Sequence, residues 1–267
     1  MKKIKELGEL NSLLTDFMKK GVLSNNFIMQ DKYNAYIKAG TLYYERTEAI
    51  LALFLDCKNC WRIYYHIKDA DSDIQLPGDK PLVMELVYRN ENDSVIRQLD
   101  YWTSKGFSPY INRARMKVTP KELDIVCDNL QGIGFADQGQ AEIIQKMIAD
   151  AFDPYLGCVP CKDEVVECIS RKEIITAEDE NGRILGLLHI GSKSTTWFVW
   201  HLLVLPEARN RGIAKKLLAF YRNMLQEHEN SKIQLWVKKD NISARKLYET
   251  TGFRYDSWES AGLIKKS

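Results

Sequence analysis

The chain has 267 residues, of which 45% are hydrophobic and 28% are charged. This composition excludes an intrinsically disordered chain. Thirty-eight basic against 36 acidic residues leave a formal charge of +2, without the strong basic field that is typical of nucleic-acid binding. The longest apolar stretch, Trp197 to Pro206, has ten residues and includes His201, whereas a membrane-spanning helix needs about 20. We therefore expect no nucleic-acid or membrane partner, a cytoplasmic location, and reduced cysteines.

In the first half of the chain, apolar residues at helical spacing are followed by runs rich in Tyr, Ile, Leu and Phe. These patterns predict two helices, then four strands, then a helix that ends at Gly106 and a strand that begins at Phe107. Lys58 and Asn59 predict a two-residue hairpin turn between two of the strands. The predicted helices lie at 10–18, 30–39 and 93–105, and the strands at 41–48, 49–56, 61–68 and 82–89.

A domain boundary is predicted at Thr119 to Glu122, because Pro120 ends a strand and a new apolar period begins after it. The predicted domains are therefore 1–120 and 121–267. The second half mixes hairpins with crossover helices, which predicts an α/β layered fold whose mixed, mostly antiparallel sheet is flanked by helices. Its predicted helices are 140–152, 162–171, 213–228 and 243–251, and its strands are 174–178, 184–190, 196–205, 233–238 and 253–257.

A weak internal repeat links the two halves. The segment from Tyr101 to Phe107 is followed 146 residues later by the segment from Leu247 to Phe253, and each ends a helix with Gly-Phe before a strand. The shared order of strand, helix, Gly-Phe and strand predicts two copies of one fold.

A phosphate-binding loop is predicted where an apolar strand ends at Pro206 and a helix follows. Backbone N–H groups at a helix N-terminus are unpaired, and the helix dipole favours an anion there. Gly212 and Ala214 are small enough for a phosphate to approach the backbone, and Arg209, Arg211 and Lys215 add positive charge. The alternative interpretation is an ordinary strand-to-helix turn with a solvated basic face.

Arg209, Gly212 and Ala214 resemble the Q/R-x-x-G-x-G/A signature of the GNAT acyl-CoA transferase superfamily. A second similar segment follows about thirty residues later, with Asn241, Leu247 to Glu249, and Gly252-Phe253. Two motifs in the right order are more specific than either one, and the resemblance covers Leu185 to Ser257. It implies a chain of two GNAT-like halves that uses acetyl-CoA as cosubstrate.

The resemblance also implies a role for individual residues. In such folds the strand before the loop splays from the next strand, and the pantetheine arm of the cosubstrate pairs with the backbone in that gap. Asn241 would lie near the arm, and Tyr248 would donate a proton to the departing thiolate. The residues implied to bind acetyl-CoA are Leu202, Leu203, Val204, Arg209, Asn210, Arg211, Gly212, Ile213, Ala214, Lys215 and Asn241.

The general base is less well defined. Some relatives carry a glutamate at positions that here hold Phe198 and Trp236. His201 titrates in the useful range and is the candidate base, although a packed strand histidine or a water relay from backbone carbonyls are alternatives. Trp236, Tyr255 and Trp258 would either line an acceptor pocket or pack in the core.

The first half lacks the matching phosphate-binding loop. An acidic stretch from Asp69 to Asp73 follows its strand, and an acidic loop repels a pyrophosphate. Trp102 stands where Tyr248 stands in the second copy, and indole cannot act as an acid. The first half is therefore interpreted as a degenerate, non-catalytic GNAT-like domain, and 121–267 as the catalytic one.

Two C-x-x-C pairs, Cys57/Cys60 and Cys158/Cys161, leave further alternatives. Together they could form a zinc site or act in redox chemistry, but reduced, partly buried thiols are the preferred interpretation and no metal is expected. The resemblance to the GNAT superfamily implies direct transfer of an acetyl group from acetyl-CoA to an unidentified primary amine, a small molecule or a peptide, in a ternary complex. The alternatives are a non-catalytic acyl-CoA sensor and, third, a zinc- or thiol-dependent interaction protein.

Overall fold

A computed structural model describes residues 1–26, 28, 30–127 and 129–266, without the side chains of residues 30 and 31. The chain forms two compact units: Arg113–Ser257, and Met1–Asn112 together with the end of the chain from Trp258. These units differ from the predicted division after residue 120. Residues 113–118 pair with a strand of the second unit, and residues 258–265 pair with a strand of the first. This division does not test the roles of the two halves, so the non-catalytic first half and the catalytic second half stay predictions.

The first unit is a sheet of mostly antiparallel strands with three helices. Its strands follow the order β1-β3-β4-β5-β6-β13, with β2 on β5, and among these pairs only β5 and β6 run parallel. The strands are β1 (Lys2–Lys3), β2 (Leu23–Ser24), β3 (Leu42–Arg46), β4 (Ile50–Asp56), β5 (Trp61–Ile67), β6 (Leu82–Arg89) and the second part of β13 (Arg254–Lys265). The helices are α1 (Leu7–Thr15), α2 (Gln30–Ala39) and α3 (Asp93–Ser104).

Both faces of this sheet are covered. Alternate residues of β4 belong to different hydrophobic clusters, Phe54 with the α3 side and Leu53 with the α1 side, which explains why β4 is apolar without interruption. Trp102 of α3 is fully buried, and its ring contacts those of Tyr65 and Phe107 at 4.9 and 5.2 Å between centroids.

The parallel strands β5 and β6 pair at only two positions, Trp61 with Leu82 and Arg62 with Val83. Beyond them, the buried side chain of Asn25 bridges the two strands. Its Nδ2 donates to the carbonyls of Ile63 (3.0 Å) and Glu85 (3.3 Å), and its Oδ1 accepts from the N–H of Tyr65 (2.8 Å). A segment of the unit's own chain thus satisfies the backbone groups where these strands part.

The second unit has strands in the order β7-β12-β11-β10-β9-β8, of which only β11 and β12 pair in parallel. The strands are β7 (Ser108–Val118, from residue 113), β8 (Ile133–Phe135), β9 (Ile174–Glu178), β10 (Ile184–Lys193), β11 (Thr196–Val204) and β12 (Lys232–Lys238). The helices are α4 (Ala141–Ala151), α5 (Lys162–Ser170), α6 (Ile213–Met224) and α7 (Ile242–Thr250).

Helices cover this sheet from two sides, which we call the α6 face and the α4 face. On the α6 face, residues of α6 and α7 pack against Val199, Ile233 and Leu235. On the α4 face, residues of α4 and α5 pack against Ile174 and Leu187. Buried residues alternate with partly or fully exposed ones along β12, as expected for a strand that is covered on one face.

The predicted mixed, mostly antiparallel sheet with flanking helices is confirmed, and several element boundaries differ. The final strand continues past Ser257 to Lys265, because its second part pairs with β6. The helix predicted to reach His228 ends at Met224 and is followed by a 3₁₀ turn. The short strands β1, β2 and β8 were not predicted, because two or three residues carry no readable alternation.

Candidate active site

The segment between β11 and α6 ends at a helix N-terminus that has no side-chain cap. Pro206–Ala208 forms one 3₁₀ turn, and Asn210 and Gly212 then adopt left-handed backbone angles, with φ of 62° and 75°. Gly212 is the N-cap of α6, and no side chain accepts a hydrogen bond there. The first N–H groups of the helix therefore lack an intrahelical partner. A Cβ on Gly212 would meet no atom within 4 Å, so the space in front of these groups is open.

The same segment carries positive charge. Arg209, Arg211 and Lys215 are all exposed, and Arg209 Nε donates to the carbonyl of Val204 (3.2 Å). The carboxylate of Glu207 forms an ion pair with Arg183. A hydrogen bond from its own backbone N–H, followed by Arg183, lowers the pKa of Glu207. The acidic group of the segment is thus already paired, whereas Arg211 and Lys215 form no ion pair with any residue that the structure describes.

A gap opens between β11 and β12 beside this helix N-terminus. The two strands pair from Thr196 with Lys232 to Val199 with Leu235, and across the described residues their pairing goes no further. Beyond that point β11 pairs only on its other side, where Leu202, Leu203 and Val204 face Leu188, Leu187 and Gly186 of β10. The backbone edge of these three residues that is directed towards β12 has no strand partner.

Gly186 is a positioning residue that the sequence analysis missed. A Cβ on Gly186 would come within 2.8 Å of the carbonyl oxygen of Leu203 and 3.2 Å of Cγ2 of Ile213. Only glycine allows β10, β11 and the start of α6 to approach this closely. A single glycine inside an apolar strand was the available signal.

Tyr248 and Asn241 are both on α7. Tyr248 is buried in the cluster on the α6 face and contacts the ring of Phe253, with 5.4 Å between centroids. Burial raises the pKa of the Tyr248 hydroxyl. Asn241 is the N-cap of α7, where its Oδ1 accepts from the N–H of Ala244 (3.1 Å) and the hydroxyl of Ser243 (3.0 Å). Asn241 thus holds the start of the helix that carries Tyr248.

His201 has hydrogen-bond partners at both ring nitrogens. Its Nε2 lies 2.8 Å from the carbonyl of Gly157, and its Nδ1 lies 3.0 Å from Nδ1 of His189. A carbonyl only accepts, so His201 Nε2–H is the donor and, in the neutral pair, His189 Nδ1–H donates to His201. Burial lowers the pKa of both histidines, that of His189 to about 3.

Part of the sequence of the second unit matches a known family. Residues 144–253 match the model of the acetyltransferase (GNAT) family. The second unit contains a GNAT acetyltransferase domain. No curated protein matches the sequence.

Solved structures share the fold at low sequence identity. A GCN5-related N-acetyltransferase from Sphaerobacter thermophilus is similar at 15% identity and a TM-score of 0.61, over 82% of this chain and 76% of its own. An acetyltransferase from the GNAT family of Colwellia psychrerythraea is similar at 12% identity and a TM-score of 0.57, over 100% and 99%. A tandem GNAT protein from the clavulanic acid biosynthesis pathway is similar at 10% identity and a TM-score of 0.55, over 85% and 83%.

Aromatic side chains line the α4 face of the GNAT domain where β11 and β12 part. Phe198 and Trp200 stack with 5.1 Å between their centroids, and Trp200 is 48% exposed. Trp236 is 36% exposed, and the guanidinium of Arg115 lies 5.9 Å from its ring centroid. Tyr255, 42% exposed, is instead beside α7, where its hydroxyl accepts a hydrogen bond from Arg245 Nε (2.6 Å). Trp236 and Tyr255 are therefore exposed, and the interpretation that they pack in the core is wrong.

Arg115 also forms a bidentate ion pair with Asp256, at 2.6 and 2.9 Å to Oδ2. Lys117 and Lys238 lie on the same face, because they pair across the strands with Gln234 and Arg113, next to the Trp236 and Arg115 pair. Both lysines are exposed. The surroundings of the aromatic side chains are therefore cationic.

Two further findings concern metal ligands and membrane-spanning helices. Within residues 1–26, 28, 30–127 and 129–266, no three His, Cys, Asp or Glu side chains are grouped so that they could hold a metal ion. Across that same part of the chain, no helix combines the length and the apolar character needed to cross a membrane.

The histidine pair predicts a dependence of stability on pH. An unfolded histidine has a pKa of about 6.5, whereas His189 stays neutral in the fold down to about 3. Below pH 6.5 the unfolded chain binds a proton that the folded chain does not, so the free energy of unfolding falls as the pH decreases. Each such group contributes a slope of about 1.4 kcal/mol per pH unit.

We expect His189→Gln to reduce this slope by about that amount, roughly 1.4 kcal/mol per pH unit, between pH 4 and 6 in urea titrations. The control is His228→Gln, since His228 is exposed. Equal slopes for His189→Gln and the parent chain would contradict the prediction.

Proposed function

We propose that the GNAT domain transfers an acetyl group from acetyl-CoA to an amine in a ternary complex. The observation that carries the proposal is the parting of the parallel strands β11 and β12 beside a helix N-terminus without a side-chain cap. A gap where β11 has no strand partner suits the amide-containing pantetheine arm, which would displace Arg209 from the carbonyl of Val204, and the adjoining helix N-terminus suits a pyrophosphate. The match of residues 144–253 to the acetyltransferase (GNAT) family supports this proposal.

Within this proposal the loop residues bind the pyrophosphate. The backbone N–H groups from Gly212 to Lys215 point at the anion, and the side chains of Arg209, Arg211 and Lys215 neutralise its charge. Asn210 and Ile213 complete the turn, and Ala214 leaves room for the phosphate. Leu202, Leu203 and Val204 pair with the pantetheine arm through their backbone, while Asn241 orients α7 beside it.

Gly212→Glu tests the phosphate site, because the new carboxylate would fill the open space and repel the anion. Loss of one charge-assisted hydrogen bond costs about 1.5–3 kcal/mol, so we expect binding of acetyl-CoA to weaken at least about tenfold. Isothermal titration calorimetry measures the affinity. It should also give one site per chain, since Asn25 bridges the corresponding gap of the first unit.

A matched control is Gly182→Glu in the turn between β9 and β10. Gly182 has a left-handed φ of 76° and no atom within 4 Å of its virtual Cβ, as Gly212 does. Both variants carry the same backbone strain, so only Gly212→Glu should lose affinity. Equal affinities of the two variants would reject this site.

The chemical step forms a C–N bond and breaks the C–S bond of the thioester. A neutral amine attacks the carbonyl carbon, its nitrogen gives up one proton to a water relay or to His201, and the thiolate of coenzyme A leaves. The raised pKa of Tyr248 keeps its hydroxyl protonated, so that it can donate a hydrogen bond as negative charge develops on sulfur. Full proton transfer is uphill, since even a free phenol at about 10 is less acidic than a thiol at about 8.5.

Tyr248→Phe should lower kcat by roughly a hundredfold, the typical effect of removing one such donor, while acetyl-CoA affinity stays within about twofold. Steady-state release of free thiol measures kcat. Tyr221→Phe is the control: Tyr221 is fully buried on α6 and its hydroxyl has no hydrogen-bond partner among the residues that the structure describes, so its removal should leave kcat unchanged. An unchanged kcat in Tyr248→Phe would reject the donor role.

The candidate base His201 would have to release one of its two hydrogen bonds before it could accept a proton, and its pKa is lowered. A water relay from backbone carbonyls therefore competes with it. A lysine-like amine with a pKa of about 10.4 costs about 4.6 kcal/mol to neutralise at pH 7, whereas an α-amine near 8 costs only about 1.4 kcal/mol. The site thus favours an acceptor amine of low pKa.

The acceptor is proposed to approach from the α4 face. The α6 face is filled at the end of the gap by the buried side chains of Val199 and Leu235, whereas Trp200 and Trp236 are accessible on the other side. Lys117 and Lys238 would repel a polycation and lower the pKa of a bound amine. An α-amine with an apolar or aromatic body fits these surroundings better than a polyamine or an aminoglycoside.

A thiol-release assay over phenylalanyl peptides, amino acids, spermidine and an aminoglycoside tests this acceptor class. We expect kcat/KM for phenylalanyl peptides to exceed that for spermidine by at least about tenfold, equivalent to 1.4 kcal/mol. Trp236→Ala should raise the acceptor KM without changing acetyl-CoA affinity. Ile242→Ala, which alters an exposed side chain of α7, should change neither. Preference for spermidine would contradict the acceptor class.

A non-catalytic acyl-CoA sensor is the second candidate, favoured by the occupied ring nitrogens of His201. Such a sensor would bind acetyl-CoA with the same dependence on Gly212 but release no thiol with any amine. The proposal also includes a cytoplasmic location, supported by six cysteines that are all free, and a degenerate, non-catalytic first unit.

A further inference from the structure

Cys57 and Cys60 flank the two-residue turn that connects β4 and β5. The N–H of Cys57 donates to the carbonyl of Cys60 (3.0 Å), Lys58 has a φ of 66°, and Asp56 pairs with Trp61 in the first position of the ladder. Cysteines opposite each other in a hairpin point to the same face, with Cβ atoms about 4.5–5.5 Å apart. Disulfides require Cβ atoms about 3.5–4.5 Å apart, so a small closure of the turn suffices.

The two cysteines are joined by a backbone hydrogen bond across the turn, and they differ in accessibility. Cys57 is half-buried and Cys60 is 1% exposed. A hydrogen bond from the Cys60 thiol lowers the pKa of Cys57, and the positive charge of Arg62 acts in the same direction. The same contact, together with burial, raises the pKa of Cys60. The neighbouring carboxylate of Asp56 is neutralised by Lys80 at 2.8 Å. An accessible thiolate with a protonated thiol behind it is the arrangement of an attacking and a resolving cysteine.

We propose that Cys57 and Cys60 form a dithiol site that reacts with low-molecular-weight disulfides of the glutathione type. The Cys57 thiolate attacks one sulfur of the disulfide, so that a mixed disulfide forms and one thiolate leaves. The Cys60 sulfur then attacks Cys57 Sγ, its proton passes to the second departing thiolate, and a Cys57–Cys60 disulfide results. Two protein thiols are oxidised, and one small disulfide is reduced to two thiols.

The second C-x-x-C pair has the same spacing in another geometry. Cys158 has a φ of 52°, and Cys161 is the N-cap of α5, where its N–H donates to Glu164 (2.8 Å). Both are exposed. The structure describes both residues and shows no contact between their sulfur atoms. The double variant Cys158→Ser/Cys161→Ser is therefore a matched control for Cys57→Ser/Cys60→Ser.

The experiment treats the folded full-length protein with oxidised glutathione at pH 7.4, alkylates the remaining thiols and maps the peptides by mass spectrometry. We expect a disulfide between Cys57 and Cys60 that forms at least about tenfold faster than any adduct at Cys158, is reversed by dithiothreitol, and is retained in the Cys158→Ser/Cys161→Ser variant. Cys60→Ser should hold glutathione on Cys57 as a mixed disulfide, because the resolving sulfur is gone.

Reduced Cys57 and Cys60 under conditions that modify Cys158 would overturn the proposal, as would a Cys60→Ser variant that accumulates no mixed disulfide at Cys57. Circular dichroism of each variant checks that the chain is folded. If Cys60→Ser fails to fold, the comparison of oxidation rates in the parent chain decides the question alone.

Discussion

In each unit of this protein two parallel strands part, and the backbone groups at the two gaps are in different surroundings. Backbone groups at such a gap are hydrogen-bond donors and acceptors that need partners. In the second unit, β11 and β12 part after Val199 and Leu235, and the edge of β11 beyond that point has no strand partner. The first unit has the same feature after Arg62 and Val83. There the side chain of Asn25 supplies hydrogen bonds to the backbone of both strands, so the first unit satisfies these groups internally.

The start of α6 lies beside the gap in the GNAT domain. Gly186 allows the close packing of Ile213 on the sheet, and Gly212 turns the chain so that the first N–H groups of the helix remain unpaired. Residues without functional atoms of their own thus position the atoms proposed to bind phosphate. The two buried histidines of β10 and β11 are arranged differently. His189 and His201 satisfy each other in a buried pair, which stabilises the neutral forms and reduces the capacity of His201 to take a proton.

Much of this arrangement was readable from the sequence, because it depends on local patterns. The run from β11 through Gly212 into α6 combines a strand period, a proline, a small-residue turn and a helical period, each set by neighbouring residues. The two-residue turn at Lys58 and Asn59 was predicted on the same basis and is present. The continuation of β13 to Lys265 depends on pairing with residues 82–89, and the pairing of His201 with His189 depends on the register of β10 and β11. Such partners are distant in sequence or set by a register shift, and periodicity does not show them.

Equal sequence spacing therefore does not imply equal chemistry. Trp102 and Tyr248 occupy the same place before a Gly-Phe step, but Trp102 packs between aromatic rings in the core, while Tyr248 carries a hydroxyl on the helix that Asn241 caps. The two C-x-x-C pairs show the same contrast. One closes a hairpin, where its two cysteines are opposite each other and are joined through the backbone, and the other is at the start of a helix with both side chains exposed. In each pair the backbone element decides which groups meet, and burial then decides which protonation state is stable. A motif in this protein predicts chemistry only together with the element that holds it.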